Sequence, residues 1–236
     1  MKATSSRSLH GQIVHELGKL IVAGQYKPGE VLPREELLAE QLQVSRTALR
    51  ESLRVLGSKG LIETRQKIGS RVRDAEHWNL LDPDVLSWHV AALPTLAFVE
   101  QLAEMRELIE PGAAALAAQR RSDAQLARIG QAYDAMAAAE DLEAWAAADL
   151  RFHHAVLDAT ANALLRPLFS VIETALGSYL LLSARKADAD FRYSLPRHAS
   201  VYEAIAARQP EQARQAMLEM IADSRSNLRR DITVKP

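Results

Sequence analysis

The sequence predicts a mainly α protein in two unlike parts, an N-terminal winged helix-turn-helix followed by an all-α helical bundle. Three observations predict it. Residues 32–60, LPREELLAEQLQVSRTALRESLRVLGSKG, carry leucines at helical spacing in two short runs divided by a tight turn. Two short strand-like runs follow, separated by a loop that contains Gly69. From Thr95 onward the periodicity is helical throughout, and alanine, the best helix former, is abundant.

Each element follows in order. A first helix is predicted over 9–23, with Leu9, Ile13, Leu17, Leu20 and Ile21 on its buried face and Gly24 ending it. Tyr26-Lys27-Pro28-Gly29 is a turn signal. The next helix puts Leu37, Leu38 and Leu42 on one side. The one after it runs from about Ser45 to Gly57, with Leu49, Leu53 and Leu56 inward and Ser45, Arg46, Thr47 and Arg50 outward. Strands over 61–65 and 70–73 make a wing with a basic tip of Arg65, Lys67 and Arg71. The first domain therefore spans 1–73. A linker, 74–94, is bracketed by Pro83 and Pro94 and has enough apolar surface (Trp78, Leu80, Leu81, Leu86, Trp88) to pack. The second domain, 95–236, should hold helices over 96–121, 123–139, 141–160, 163–184, 196–208 and 210–230. The first has Leu102, Met105, Ile109 and Leu116 on a stripe and a kink at Pro111. The second is capped by Ser122 or Asp123.

Composition bounds the function. An apolar fraction of 48% and a charged fraction of 25% are those of a globular chain. No apolar run reaches the ~18–20 residues that span a bilayer, and no signal-peptide core is present. Cysteine is absent, which excludes thiolate chemistry and fits a cytoplasmic location. The net charge of −1 hides an asymmetry. Residues 1–73 hold 13 Lys+Arg against 7 Asp+Glu, a balance of +6; residues 74–236 hold 16 against 23, a balance of −7. A basic head on an acidic body points to double-stranded DNA as partner of the head alone. Arg46 and Arg50 lie one turn apart, and either suits bidentate contact with guanine, while Ser45 and Thr47 suit phosphates or base edges. The plainer alternative for these arginines is a solvated helix face. In the second half, Asp149 and His153 share a helix face at i and i+4, with His198 arriving from a later helix. A surface ion pair and a polar helix-end residue are the plainer reading of those three.

These residues resemble a known family. Residues 32–72, with Leu-Pro before one helix and V-S-R-T-A-L-R-E-S-L in the next, resemble the DNA-binding domain of GntR-type bacterial transcription regulators. Arg106-Glu107-Leu108-Ile109-Glu110-Pro111, Asp149-Leu150-Arg151-Phe152-His153 and Asn162-Ala163-Leu164-Leu165 resemble the FadR-like FCD bundle of that family. A single head makes few phosphate contacts, so a homodimer on a palindromic operator is expected, with Arg34, Ser45, Arg46, Thr47, Arg50, Lys67 and Gly69 at the DNA; the resemblance implies that the Gly69 backbone lies close to the minor groove. Glu36 departs from the pattern, because it stands where the family commonly has a DNA-touching Arg. The resemblance also implies a divalent metal (Zn²⁺, Ni²⁺ or Mn²⁺) on Asp149, His153 and His198, with Met220 in place of the fourth ligand. The linker W-N-L-L-D-P-D-V-L-S-W looks like that of repressors of D-galactonate catabolism, which implies an aldonate effector. Arg106 is the expected carboxylate clamp, its alternative being a bridge to Glu110 at i+4, with Asn227 and Arg225 as further polar contacts. His154 and the three tryptophans are expected to be structural. A metal sensor without organic effector and a metalloenzyme on Asp149, His153 and His198 are the competing functions. No base or nucleophile motif accompanies the second.

Overall fold

The computed structural model describes residues 9–65, 68–92, 96–165, 168–169, 171–174, 176–177 and 192–233. Lys67, at the expected wing tip, lies outside the described residues, as does much of the helix predicted over 163–184. The chain divides into two compact units, Met1–Leu93 and Pro94–Pro236.

The first unit contains α1 (Leu9–Val22), α2 (Glu35–Gln41), α3 (Arg46–Ser58), β1 (Ile62–Arg65), β2 (Gly69–Val72) and α4 (Pro83–Ala92). Ser45 starts α3. Its backbone is extended, and its hydroxyl accepts from the Ala48 N–H at 3.2 Å, satisfying one of the donors a helix start leaves unpaired. Leu49, Leu53 and Leu56 then turn inward onto Ile13, Leu17 and Ile21 of α1. One expectation is corrected in α2: Leu37 is 53% exposed while Leu38 is 2% exposed. Leu38 and Leu42 are a full turn apart and share a face, and Leu37 falls outside that face because each residue turns by roughly 100°. The hairpin pairs Ile62 with Val72 at its buried base and Arg65 with Gly69 near its exposed tip. Gly69 has φ +99, a conformation that side chains rarely adopt.

The segment after the wing is built into this unit. The Trp88 ring of α4 lies over Gly18 of α1, where an added Cβ would sit 2.2 Å from a ring carbon. Trp88 Nε1 donates to His15 Nδ1 at 2.8 Å, and Lys59 Nζ donates to Asp82 at 2.8 Å and Asp84 at 3.0 Å.

The second unit contains α5 (Leu96–Arg120), α6 (Asp123–Ala137), α7 (Leu142–Asp158), α8 (Leu195–Ala206) and α9 (Pro210–Thr233). Ser122 caps α6 in a reciprocal capping box with Gln125, and Asp141 caps α7 by accepting from Ala144 N–H at 2.8 Å. Helix α5 runs along α9, touches α7 and α8, and continues through Pro111. Its buried alanines, Ala113, Ala114, Ala117 and Ala118, allow these close approaches. Trp145, Phe152, Met217 and Met220 share the core that α7, α8 and α9 enclose. Among the described residues no helix is long and apolar enough to cross a membrane.

Candidate functional site

Two groups of residues stand out, one in each unit. On the first, Ser45, Arg46, Thr47 and Arg50 are exposed along the opening of α3, and Arg34 is exposed at the start of α2. Neither arginine of α3 is merely solvated. Arg50 Nε donates to Glu35 Oε2 at 2.6 Å, and Arg46 Nη1 donates to Glu36 Oε1 at 3.4 Å. The first turns of α2 and α3 thus form one exposed surface of alternating charge. Gly69 is exposed at the wing.

The second group is a buried polar chamber in the bundle. Asp149, His153 and His198 are each buried, and one ligand atom from each lies within 4.8 Å of the others. The exposed ion pair and polar helix end that the residues alone allowed are therefore not what forms. Asp149 and His153 come from one face of α7, and His198 from α8. His198 Nε2 stands 2.9 Å from Asp149 Oδ1, and His153 Nε2 stands 3.9 Å from the same oxygen.

The rest of the chamber sets which imidazole nitrogen faces inward. His198 Nδ1 lies 2.9 Å from the Ser194 carbonyl oxygen, which can only accept, so Nδ1 carries a proton. His153 Nδ1 lies 2.6 Å from Glu110 Oε2, an approach that is short but oblique to hydrogen-bond direction. Both histidines thus turn Nε2 toward Asp149. His198 Nε2 is buried without an aligned hydrogen-bond partner. An imidazole nitrogen and a carboxylate oxygen at that distance call for a cation between them, either a proton or a metal ion. A metal fits this donor set: oxygen plus two imidazoles, with His198 anchored through its far nitrogen and His153 backed by Glu110. Such an ion would leave positions for water or a carboxylate, since three protein ligands do not close its shell. Met220 is buried in the core beside these helices, and its thioether is a poor ligand for these ions.

Glu110 is the residue that the sequence reading placed only as an alternative partner. It is fully buried, accepts from Arg106 Nε at 2.6 Å, and faces His153 with its other oxygen. Burial alone would raise its pKa, but the Arg106 guanidinium and His153 outweigh that and hold it at about 2. Asp149 is likewise pushed up by burial and drawn down further by His198, His153 and Arg106, with a net lowering. Arg106 is 4% exposed, and its Nη2 comes 3.5 Å from His153 Nε2. It therefore makes the bridge to Glu110 and reaches the chamber as well. Tyr193 borders the same space: its hydroxyl pairs with Asn227 and lies within the fields of Asp149 and Arg106. Arg225 is placed elsewhere, held by Glu107 at 3.1 Å and by Glu100, where it ties α9 to α5. His154 pairs with Asp158 at 3.5 Å, outside the cluster.

The fold and these two groups put a winged helix-turn-helix and a buried polar chamber in one chain, the layout of a transcription regulator. The comparisons agree. Residues 9–72 match the family described as bacterial regulatory proteins, gntR family, and residues 101–223 match the FCD domain. The chain is 36% identical to the galactonate operon transcriptional repressor of Escherichia coli over 92% of this chain and 96% of that protein. It is 37% identical to the HTH-type transcriptional regulator LutR of Bacillus subtilis over 84% of this chain and 91% of that one. A solved structure of Lar, which controls the expression of the Listeria monocytogenes agr system, shares the fold at TM-score 0.62 and 21% identity, covering 95% of this chain and 98% of that one. The chain belongs to the GntR family of transcription regulators, in the branch that carries an FCD domain. The matched domains and relatives are transcription regulators, not enzymes.

Proposed function

We propose that this protein is a cytoplasmic homodimeric repressor of a sugar-acid catabolic operon, released from a palindromic operator by an aldonate such as D-galactonate. Arg46 and Arg50 read bases, Ser45, Thr47 and Arg34 meet phosphates or base edges, and the wing carrying Lys67 and Gly69 reaches the minor groove. Two heads on one palindrome supply the phosphate contacts that a single head lacks. The E. coli relative named as a galactonate operon repressor supports the effector class.

The observation that carries the reading is the charge inventory of the buried chamber. Arg106 contributes one positive charge, and Glu110 and Asp149 contribute two negative ones. With neutral imidazoles and a divalent metal on Asp149, His153 and His198, one positive charge remains. A buried uncompensated charge is costly, and an organic monoanion removes it. An aldonate is such an ion, and its hydroxyls suit the neutral donors of Tyr193 and Asn227. A metal held by Asp149, His153 and His198 would supply Lewis-acid attraction for the carboxylate, and Arg106, already bound to Glu110, contributes a second positive charge to the chamber. Without the metal the fixed charges sum to a negative value, which repels an anion. The effector shifts DNA binding only by as much as its affinity differs between the two arrangements of the protein.

Mobility shift of the full-length protein on its own upstream DNA tests this. D-galactonate with metal should release the DNA, and gluconate should do so less effectively. Release by chelator alone, with no response to either acid, would favour a metal sensor instead.

A further inference from the structure

We propose that Glu36 is a specificity-determining residue, which together with Arg46 reads one whole G·C base pair. The proposal rests on the reading that the start of α3 faces the major groove. Three observations carry it. Glu36 belongs to α2, yet its carboxylate meets Arg46 of α3 at 3.4 Å, so the two helices present one donor-acceptor unit on the same surface. Both side chains are exposed, at 53% for Glu36 and 65% for Arg46, so neither is engaged in the core. The neighbouring pair differs: Glu35 is 34% exposed and holds Arg50 by Nε at 2.6 Å, a tight contact that aims the guanidinium and leaves its Nη edge free. Glu35 therefore positions its arginine, whereas the longer Glu36 contact leaves its acceptor oxygens available.

The chemistry of the base pair matches that unit. In the major groove guanine offers the acceptors N7 and O6, and its cytosine offers the N4 amino donor beside them. A guanidinium next to a carboxylate is the complement of that edge: Arg46 donates to guanine while Glu36 accepts from cytosine N4. No other base pair presents two acceptors followed by a donor in this order. A carboxylate near the phosphates also lowers affinity for every sequence, so Glu36 weakens indiscriminate binding while favouring one pair.

The test is selection from a random duplex library by the full-length protein, compared with its Glu36→Ala and Glu36→Gln variants. The wild type should enrich G·C at one pair in each half-site. Glu36→Ala should lower that preference about tenfold and leave the other positions unchanged. Glu36→Gln keeps an oxygen that accepts from N4, so it should retain the preference while binding all sequences more tightly. If both variants bind more tightly with an unaltered base profile, Glu36 acts only by charge and the proposal is overturned. Arg50→Ala separates this from the parent reading: it should remove the preference at a different pair and leave the G·C pair read by Glu36 and Arg46 in place. Undiminished selection by that variant would remove the basis for both.

Discussion

Glu110 Oε2 stands 2.6 Å from His153 Nδ1, while Glu110 Oε1 accepts from Arg106 Nε, so one buried carboxylate joins the cation of α5 to a candidate metal ligand of α7. In the proposed function this relationship ties metal binding, effector binding and stability to a single residue. Glu110→Gln should therefore weaken zinc binding by about 10–100-fold, as loss of an outer partner of a ligating imidazole does. Titration of the purified variant against a chromophoric chelator measures this. Unchanged zinc affinity would show that Glu110 does not orient His153.

Arg106→Ala should cost about 3–5 kcal/mol, because it takes the guanidinium from a buried Glu110 charge and leaves only His153 beside it. The double variant Arg106→Met/Glu110→Gln removes both charges and should recover most of that stability, but not the response to galactonate. Denaturant unfolding with and without the sugar acid distinguishes the two effects. A double variant that still responds would remove Arg106 from the effector site.

The pH dependence follows from the same carboxylate. Glu110 is held at about 2, well below its ordinary value of 4.5. A depressed value means that its stabilising contribution is fully present above about pH 4.5 and is lost as pH falls toward 2. The stability difference between wild type and Glu110→Gln should thus be constant from pH 7 to 5 and shrink below that. A difference that grows on acidification would contradict the charged, paired state of Glu110.

Gly18 gives a prediction for the first unit. In an exposed helix interior Gly→Ala stabilises by about 1 kcal/mol. Here the added Cβ would meet the Trp88 ring at 2.2 Å, so Gly18→Ala should destabilise by ~1–3 kcal/mol instead. Thermal unfolding of the variant, followed by tryptophan fluorescence, checks the sign.

Local signals made much of this molecule legible in the sequence. The spacing of Leu49, Leu53 and Leu56 and the polar opening at Ser45 located α3, because periodicity and capping act within a turn or two. The i, i+4 pair Asp149 and His153 was legible for the same reason. Glu110's link to His153 was not, because those residues are 43 positions apart and meet only when α5 packs on α7. Its one local trace was a charged residue, a turn from Arg106, on an otherwise apolar face. Nor could spacing show that Glu35 and Glu36 reach Arg50 and Arg46, or that the notch at Gly18 receives Trp88, which lies beyond the wing. Leu37 is exposed because in a helix as short as α2 the turn of roughly 100° per residue leaves room for Leu38 and Leu42 on the buried face but not for their neighbour.

The most direct measurement is the unfolding midpoint of the zinc-loaded full-length protein with and without excess D-galactonate, repeated after zinc removal. A ligand at 1,000 times its dissociation constant adds about 4 kcal/mol to the native state. The charge inventory of the chamber predicts a large upward shift for the zinc-loaded protein and none after chelation. An equal shift in both states, or no shift in either, would contradict a metal-dependent sugar-acid site.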